Sequence, residues 1–371
     1  MSTSRLAVVF AGGGTGGHLY PALSIAEAVR RRRPDTDILF IGTQGKIEAR
    51  VVPEHGFAFR SIDISGFARK LSVDTLAFPV RVVTAVRQSL AILRSFRPDV
   101  VAGTGGYVCG PPLAAGMLLG IPTLIQEQNG YPGVTTRLLA HRATEVHLTF
   151  ESSRRYLRRT DNVHITGNPT RAAIGSVTRA AGAASFGLDP SRTTVLVVGG
   201  SQGAAALNRV MQQSIGMITA EGAQVLWGCG ARDAEACQHA VDALPGAEAG
   251  RVKVLPYIEH MEHAYAVCDL AVSRSGASTL AEMTRVGVPS VLVPYPHAAA
   301  DHQTANARVM AEAGASVLIP EARAEGELMA TVMELLRDPG RREAMSARAR
   351  DLGRPDAANV LADAVLRLAE Q

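Results

Sequence analysis

The residues best suited to chemistry sit in a glycine-rich stretch near the start of the chain, AGGGTGGHLY at 11 to 20, where His18 closes a run of glycines. Gly12, Gly14 and Gly17 satisfy the G-x-G-x-x-G spacing of a dinucleotide-binding loop. Glycines so placed can adopt positive φ and let a ligand approach the backbone. The free N–H groups of a following helix favour phosphate or another anion. His18 stands at the lip of this loop, where an imidazole, which ordinarily titrates near neutrality, can take a proton from a bound hydroxyl. A capping or packing role accounts equally well for one histidine seen alone.

A dinucleotide site also needs an acid at the end of the second strand, about 20 residues after the loop, to hold the adenosine ribose. In FIGTQGKIE, at 40 to 48, Gly42 and Thr43 occupy that place; Asp35 and Asp37 come too early and Glu48 too late. The loop is therefore read as a turn for some other anion, with a tight ligand-free turn as the plain alternative. GTGGYVCGPP, at 103 to 112, places Gly105, Gly106 and Tyr107 as a shaped wall beside it, unless it is simply another strand-to-helix turn. QEQNGYPG, at 126 to 133, adds the amides of Gln128 and Asn129, which suit sugar hydroxyls.

The second half of the chain carries a different set. VVGGSQGAAALN, at 197 to 208, offers the backbone of Gly199 to Gly203 and the Ser201 hydroxyl as a cradle for a diphosphate. SRSGASTLAE, at 273 to 282, is another such turn, with Ser275, Gly276 and Ser278 before Glu282. A carboxylate at that point in a helix can accept two hydrogen bonds from a ribose diol, although a solvated surface glutamate gives the same pattern. PHAAADHQTANA, at 296 to 307, gathers His297, Asp301, His302, Gln303 and Asn306. It has no zinc spacing and no H-E-x-x-H, so the expectation is amide and imidazole contacts to a sugar and no metal site.

These loops need strands to hold them. Apolar runs at 6–10, 37–41, 99–103, 122–126 and 145–149 alternate with helix-compatible stretches, the first at 19–33, which predicts an α/β fold with a parallel sheet. After HITGNPTR, at 164 to 171, the layout restarts at 193, with strands expected at 223–227, 252–255, 269–273, 290–294 and 315–319. The expected architecture is two Rossmann-like doubly wound domains facing across a cleft, at 1–166 and 167–350. A final helix in 351–371 is expected to pack back toward the first domain. Ligands belong at the carboxyl ends of the two sheets.

At 371 residues the chain suits two domains, and 47 % hydrophobic with 19 % charged residues describes a packed globular protein. A net charge of +4 names no partner by itself, and the lack of a recognition motif argues against a nucleic-acid partner. Four scattered cysteines point to a reduced setting. MSTSR followed by a short apolar run makes no signal peptide, and no window reaches 18 apolar residues, so contact with a membrane would be from its surface.

Taken together, GGGTGGHLYP, GTGGYVCGPP, QEQNGYPG, GNPTR, GGSQGA, PYI at 256 to 258, RSGASTLAE and DHQTANA, in this order, resemble the MurG family of peptidoglycan glycosyltransferases (family 28, GT-B fold) across essentially the whole chain. The resemblance implies transfer of N-acetylglucosamine from UDP-N-acetylglucosamine to the C4 hydroxyl of the N-acetylmuramoyl residue of an undecaprenyl-linked acceptor, lipid I. It implies an inverting displacement with no bound metal or other cofactor. By position it implies donor contacts from Arg171, Ser201, Gln202, Gly203, Ile258, Ala277, Ser278, Thr279, Glu282, His302 and Gln303, with Thr15, Gly16, Gly17 and Asn129 reaching the donor as well. Acceptor contacts fall on Gly14, Thr15, His18, Gly105, Gly106, Tyr107 and Asn129, and His18 is the nominated base. DHQTANA varies among such proteins, which leaves His302 the least secure of these.

A lipid-linked acceptor implies work at the cytoplasmic face of the cell membrane, as a peripheral protein, and association with other cell-wall enzymes. Residues 66–97 set Phe67, Leu71, Leu76, Phe78, Val82 and Val83 among Arg69, Lys70, Arg81, Arg87, Arg94 and Arg97, an apolar patch rimmed by positive charge that fits an anionic lipid surface. A buried helix with solvated arginines fits the pattern alone as well. The competing readings are a similar transferase with a non-lipid acceptor, a sugar-nucleotide 2-epimerase, for which no convincing carboxylate pair is found, and a dinucleotide-binding regulator.

Overall fold

The computed structural model describes residues 5–65, 73–200 and 203–371, the side chains of 73–77 excepted. The chain divides into two compact units, Met1–Arg171 with Arg354–Gln371, and Ala172–Gly353. The division follows Arg171 rather than residue 166, because GNPT is held by the first unit. Gln126 Nε2 donates to Gly167 O and Asn168 Oδ1, both at 3.4 Å. Gly167, at φ +93°, leaves no room for a Cβ beside Arg354 of the same unit.

The first unit is a parallel seven-stranded sheet built from β1 (Ala7–Ala11), β2 (Asp37–Gly42), β3 (Ala58–Ser61), β4 (Val100–Gly103), β5 (Thr123–Glu127), β6 (Glu145–Leu148) and β7 (Val163–Ile165), in the order β3-β2-β1-β4-β5-β6-β7. Its central strands are buried on both faces, which is why they read as unbroken apolar runs. The helices α1 (Gly16–Arg32), α2 (Ile47–Glu54), α3 (Val73–Phe96) and α4 (Gly110–Leu118) cover it. The last helix, Ala357–Ala369, packs on α1, with Leu361, Val365 and Leu368 in the same core as Leu19 and Val29. Arg32 to Asn359 Oδ1 (2.9 Å) and Arg33 to Glu370 (2.8 Å) rim that contact. β3 and β7 have no counterpart in the sequence reading. Both are short edge strands, and Ala58–Ser61 is largely exposed, so neither produces an apolar run.

The second unit repeats the plan with β8 (Thr194–Val198), β9 (Gln224–Gly228), β10 (Val252–Leu255), β11 (Leu270–Ser273), β12 (Ser290–Leu292) and β13 (Ser316–Leu318), ordered β10-β9-β8-β11-β12-β13 and all parallel. In each sheet the strand order reverses beside the first strand, between β1 and β4 and between β8 and β11. A doubly wound sheet opens its ligand crevice at that point. The same device locks both reversals. An aspartate just before the crossing strand accepts the N–H at the start of the first one: Asp99 from Ala7 and Asp269 from Thr194, each at 2.8 Å.

Candidate active site

In the first unit α1 begins at Gly16, three residues ahead of the sequence expectation, so Gly17 and His18 lie in its first turn and not in the loop. Thr15 is the extended N-cap and its carbonyl accepts from His18 N and Leu19 N, both at 3.2 Å. No acidic side chain lies in that turn and Thr15 makes no side-chain cap, so Gly16 and Gly17 present backbone donors at a helix N-terminus. Gly14, at φ +79°, brings the loop against the Tyr107 ring, which a Cβ would meet at 3.2 Å. A Cβ on Gly12 would come within 2.1 Å of Thr104 Oγ1, so the loop after β1 is pressed onto the end of β4.

His18 sits on the backbone of Gly105 and Gly106. Both have positive φ, and added Cβ atoms would lie 2.9 and 3.1 Å from the imidazole. Its Nδ1 is 3.0 Å from Gln128 Oε1 and 3.2 Å from Thr104 O, and Thr104 Oγ1 donates to His18 O at 2.7 Å. The structure thus joins His18, Gly105 and Gly106, drawn from two separate motifs, and places Gly14 against Tyr107. Burial and the nearby Glu48 charge push the Tyr107 hydroxyl's pKa up, so it remains a neutral donor at pH 7.

Two buried carboxylates that the sequence reading passed over hold these loops. Glu48, fully buried, accepts from Gly14 N (3.0 Å), Thr43 N (3.0 Å) and Thr43 Oγ1 (2.6 Å). A Cβ on Gly13 would lie 2.4 to 2.8 Å from its carboxyl atoms. The protein's own carboxylate therefore covers the middle of the glycine loop, where a dinucleotide's pyrophosphate would need to lie. This is a second obstacle to that reading, beside the missing ribose acid. Glu127 does the same for the loop after β5, accepting from Asn129 N and Nδ2 (both 3.1 Å), Gly133 N (2.9 Å) and Thr136 Oγ1 (2.6 Å). Asn129 is fixed beside Gln128 in this way. Glu48 was visible only as an acid too late for a ribose, and Glu127 as the unremarked neighbour of two amides.

In the second unit the loop after β8 turns through Gly200 (φ +93°) and Gly203 (φ +76°) into the helix Ala205–Ala220, and Ser201 and Gln202 lie outside the described residues. A Cβ on Gly203 would stand 2.1 Å from Cys229 O. Asn208 Nδ2 donates to the same carbonyl at 2.7 Å and Trp227 Nε1 donates to Asn208 Oδ1 at 3.1 Å, which ties this helix to the end of β9. Ile258 turns its side chain into the core against Gly228. A ligand contact from Ile258 would therefore have to come from its backbone.

Ala277, Ser278 and Thr279 form the first turn of the helix Ala277–Val286 after β11, and Ser278 Oγ is buried with no hydrogen-bond partner among the described residues. Glu282, one turn on, accepts from the Tyr265 hydroxyl at 3.1 Å, which orients its carboxylate. Ser275 Oγ donates to Gln303 O (2.8 Å) and Asn306 Nδ2 to Ser275 O (3.1 Å), so the RSGAST and DHQTANA motifs form one surface. Gln303 Oε1 accepts from Tyr295 N at 2.9 Å, and His302 Nδ1 donates to Ala299 O at 2.6 Å. Just before His302, Ala300 and Asp301 both take left-handed backbone (φ +51° and +53°), strain that non-glycine residues carry mostly at functional sites. Arg171 closes the first unit.

Among the described residues no three His, Cys, Asp or Glu side chains gather closely enough to hold a metal ion, and no helix is long and apolar enough to cross a membrane. The four cysteines are free thiols. Burial pushes the Cys109 and Cys237 thiols up to about 12, so neither is a nucleophile at pH 7.

Residues 8–148 match the model of the glycosyltransferase family 28 N-terminal domain, and 194–361 that of the family's C-terminal domain. The chain belongs to glycosyltransferase family 28. Relatives of the same length are similar from end to end. A protein of Salinibacter ruber is 43 % identical over 372 residues, covering 100 % of this chain and 99 % of its own. One of Chlorobium phaeobacteroides is 44 % identical over 368 residues, covering 98 % and 99 %. Both are named UDP-N-acetylglucosamine–N-acetylmuramyl-(pentapeptide) pyrophosphoryl-undecaprenol N-acetylglucosamine transferase. The crystal structure of Acinetobacter baumannii MurG, a GT-B glycosyltransferase, superposes with a TM-score of 0.79 at 28 % identity, over 98 % of this chain and 100 % of that one. A Listeria monocytogenes putative UDP-N-acetylglucosamine 2-epimerase (TM-score 0.70, 14 % identity, 99 % and 98 % covered) shares the fold alone.

Proposed function

We propose that this family 28 enzyme transfers N-acetylglucosamine from UDP-N-acetylglucosamine to the C4 hydroxyl of the N-acetylmuramoyl residue in undecaprenyl-diphospho-muramoylpentapeptide, releasing UDP. The observation that carries this reading is the match, at 43 and 44 % identity and over essentially full length, to transferases named for that donor and acceptor.

In this reading the first unit receives the acceptor. Its diphosphate lies on the free N–H groups of Gly16 and Gly17, since Glu48 already holds Gly14 N. Asn129 and Tyr107 meet the sugar. The acceptor's C4 oxygen attacks C1 of the donor sugar and a new C–O bond forms with inversion. The C1–O bond to the β-phosphate breaks, and its electron pair stays on the phosphate oxygen. His18 takes the hydroxyl proton on Nε2, which has no partner among the described residues. The second unit holds the donor. Glu282 accepts from the ribose diol, Ile258 meets the base through its backbone, and Gln303 with His302 reaches the sugar. The charge that develops on UDP falls to the Gly199–Gly203 loop and the N-terminus of the helix Ala205–Ala220, with Ser201, Gln202 and Arg171, and needs no resident metal.

An apolar face on α3 supports a membrane role. Ala85, Ser89 and Leu93 are its buried side, while Val80 (67 % exposed) and Val83 (53 %) share the outer side with exposed Arg87 and Arg94. Phe67, Arg69, Lys70 and Leu71 lie outside the described residues, as does the Leu76 side chain. The reading places the protein peripherally on anionic lipid at the cytoplasmic face of the membrane.

Incubation with UDP-N-acetylglucosamine and a lipid I analogue, followed by UDP release and product mass, tests the reaction, and absence of the N-acetylglucosaminyl product refutes it. His18→Ala is expected to lower kcat by at least about tenfold and to abolish the acidic limb of its pH profile; a smaller loss with the limb intact removes His18 as base. Val80→Asp with Val83→Asp is expected to weaken binding to anionic liposomes while a short-chain soluble acceptor is still used. Unchanged liposome binding would discard the membrane face.

A further inference from the structure

His18 Nδ1 faces two oxygens, and what fixes the proton between them lies deeper in the first unit. Gln128, 1 % exposed, donates from Nε2 to Thr104 O at 2.6 Å and also to Gln126 Oε1. Gln126, fully buried, donates from its own Nε2 to Gly167 O and Asn168 Oδ1. A side-chain amide can turn over, but the backbone carbonyls of Thr104 and Gly167 can only accept. Each therefore dictates which end of its glutamine carries nitrogen. With Gln128 Nε2 committed to Thr104 O, Gln128 Oε1 must point at His18, 3.0 Å from Nδ1. Turning Gln128 over would set its oxygen against both Thr104 O and Gln126 Oε1 in a dry interior, where an unpaired or opposed polar group is costly.

From this we infer that Gln128, oriented by the Thr104 carbonyl and backed by Gln126, is a positioning residue that holds neutral His18 with its proton on Nδ1. The lone pair then stands on Nε2, the nitrogen with no partner in the described chain. This is the tautomer a base at the acceptor hydroxyl requires, and it is the minor one for a free histidine side chain in water. The chain of amides supplies it without a carboxylate partner. Once Nε2 has taken the acceptor's proton, Nδ1–H still donates to Gln128 Oε1, so no amide has to turn during the reaction. The inference rests on the reading of His18 as the proton acceptor, and goes beyond it in naming what sets its protonated nitrogen.

The test uses the full-length enzyme with ¹⁵N-labelled histidine, the His18 resonances assigned by their loss in His18→Ala, at a pH where the ring is neutral. Wild type is expected to show a pyrrole-type Nδ1 and a pyridine-type Nε2. In Gln128→Met the signals move toward the opposite tautomer, because Thr104 O at 3.2 Å is left as the sole and longer acceptor. The expected kinetic effect is a fall in kcat of about tenfold or more, with the donor KM within about twofold, since a base in the wrong tautomer loses rate rather than binding. Should the methionine variant fold poorly, the wild-type spectrum alone still decides which nitrogen carries the proton.

A wild-type ring protonated on Nε2 overturns the inference, as does a Gln128→Met enzyme with an unchanged tautomer. His18→Ala separates the two ideas. If it keeps kcat, His18 is not the base, yet the tautomer arm, measured without substrate, still decides what Gln128 does. If His18→Ala loses kcat while Gln128→Met changes the tautomer and not the rate, the positioning role is refuted and the base survives.

Discussion

Replacing Glu48 by glutamine changes one atom in a fully buried side chain, and the structure fixes its cost. Oε1 accepts from Thr43 N and Thr43 Oγ1, and Oε2 accepts from Gly14 N. An amide can keep its oxygen toward Thr43, but its NH2 then meets the Gly14 N–H, donor against donor. In the other orientation the Thr43 hydroxyl can turn to accept from the NH2, but the Thr43 N–H is left facing a donor. At least one hydrogen bond to a charged acceptor disappears and a buried donor is stranded, worth about 2 kcal/mol of the first unit's stability. With a urea slope of about 2 kcal/mol per molar, that unit's midpoint falls by roughly 1 M.

The chain has a single tryptophan, Trp227, buried in β9 of the second unit. Tryptophan fluorescence therefore follows the second unit, while far-UV circular dichroism follows both. Glu48→Gln is expected to open a gap between the two curves, the dichroism shifting and the fluorescence midpoint staying in place. Because the same carboxylate fixes Gly14 just ahead of the helix that carries His18, kcat should drop by about tenfold with the donor KM nearly unchanged. A dichroism midpoint equal to wild type, or a fluorescence midpoint that moves as far, would refute the clamp.

Gly203→Ala is the complementary probe. With φ +76° and a Cβ 2.1 Å from Cys229 O, it should cost the second unit more than about 3 kcal/mol, seen in Trp227 fluorescence, and an unshifted midpoint would show that the turn can open. Glu282→Gln should raise the KM for UDP-N-acetylglucosamine by about 10- to 100-fold, the worth of a hydrogen bond to a charged group, and leave acceptor affinity as it was; steady-state kinetics in both substrates decides this. Burial holds His147 at about 4 against 6.5 for a free ring, although Glu145 beside it favours the charged form. The unfolded chain then takes the proton first, so stability is lost as pH falls from about 6.5 toward 4, about 2 kcal/mol of it between pH 7 and 5. Urea titrations of the first unit should show that slope flattened in His147→Gln, and an unchanged slope would assign it to other groups.

The sequence by itself determined the repeating α/β plan, because strands buried on both faces must be apolar throughout, and such runs at β1, β4, β8 and β11 end in glycine-rich or small-residue turns. It also singled out His18 and Glu282, whose side chains stand just after such turns and are of types that can take a proton or hold a diol. What it could not hold was set by partners far apart in the chain. Glu48 reaches Gly14, Gln128 reaches His18, Tyr265 reaches Glu282 and Ser275 reaches Gln303 through hydrogen bonds that leave no periodic trace. The edge strands β3 and β7 were missed for a related reason. Little of their surface is buried, so nothing constrained their residues to look like strands. Tertiary structure alone decided the direction of each buried amide, since that follows from which fixed carbonyl it meets. That direction settles which nitrogen of His18 is left to act.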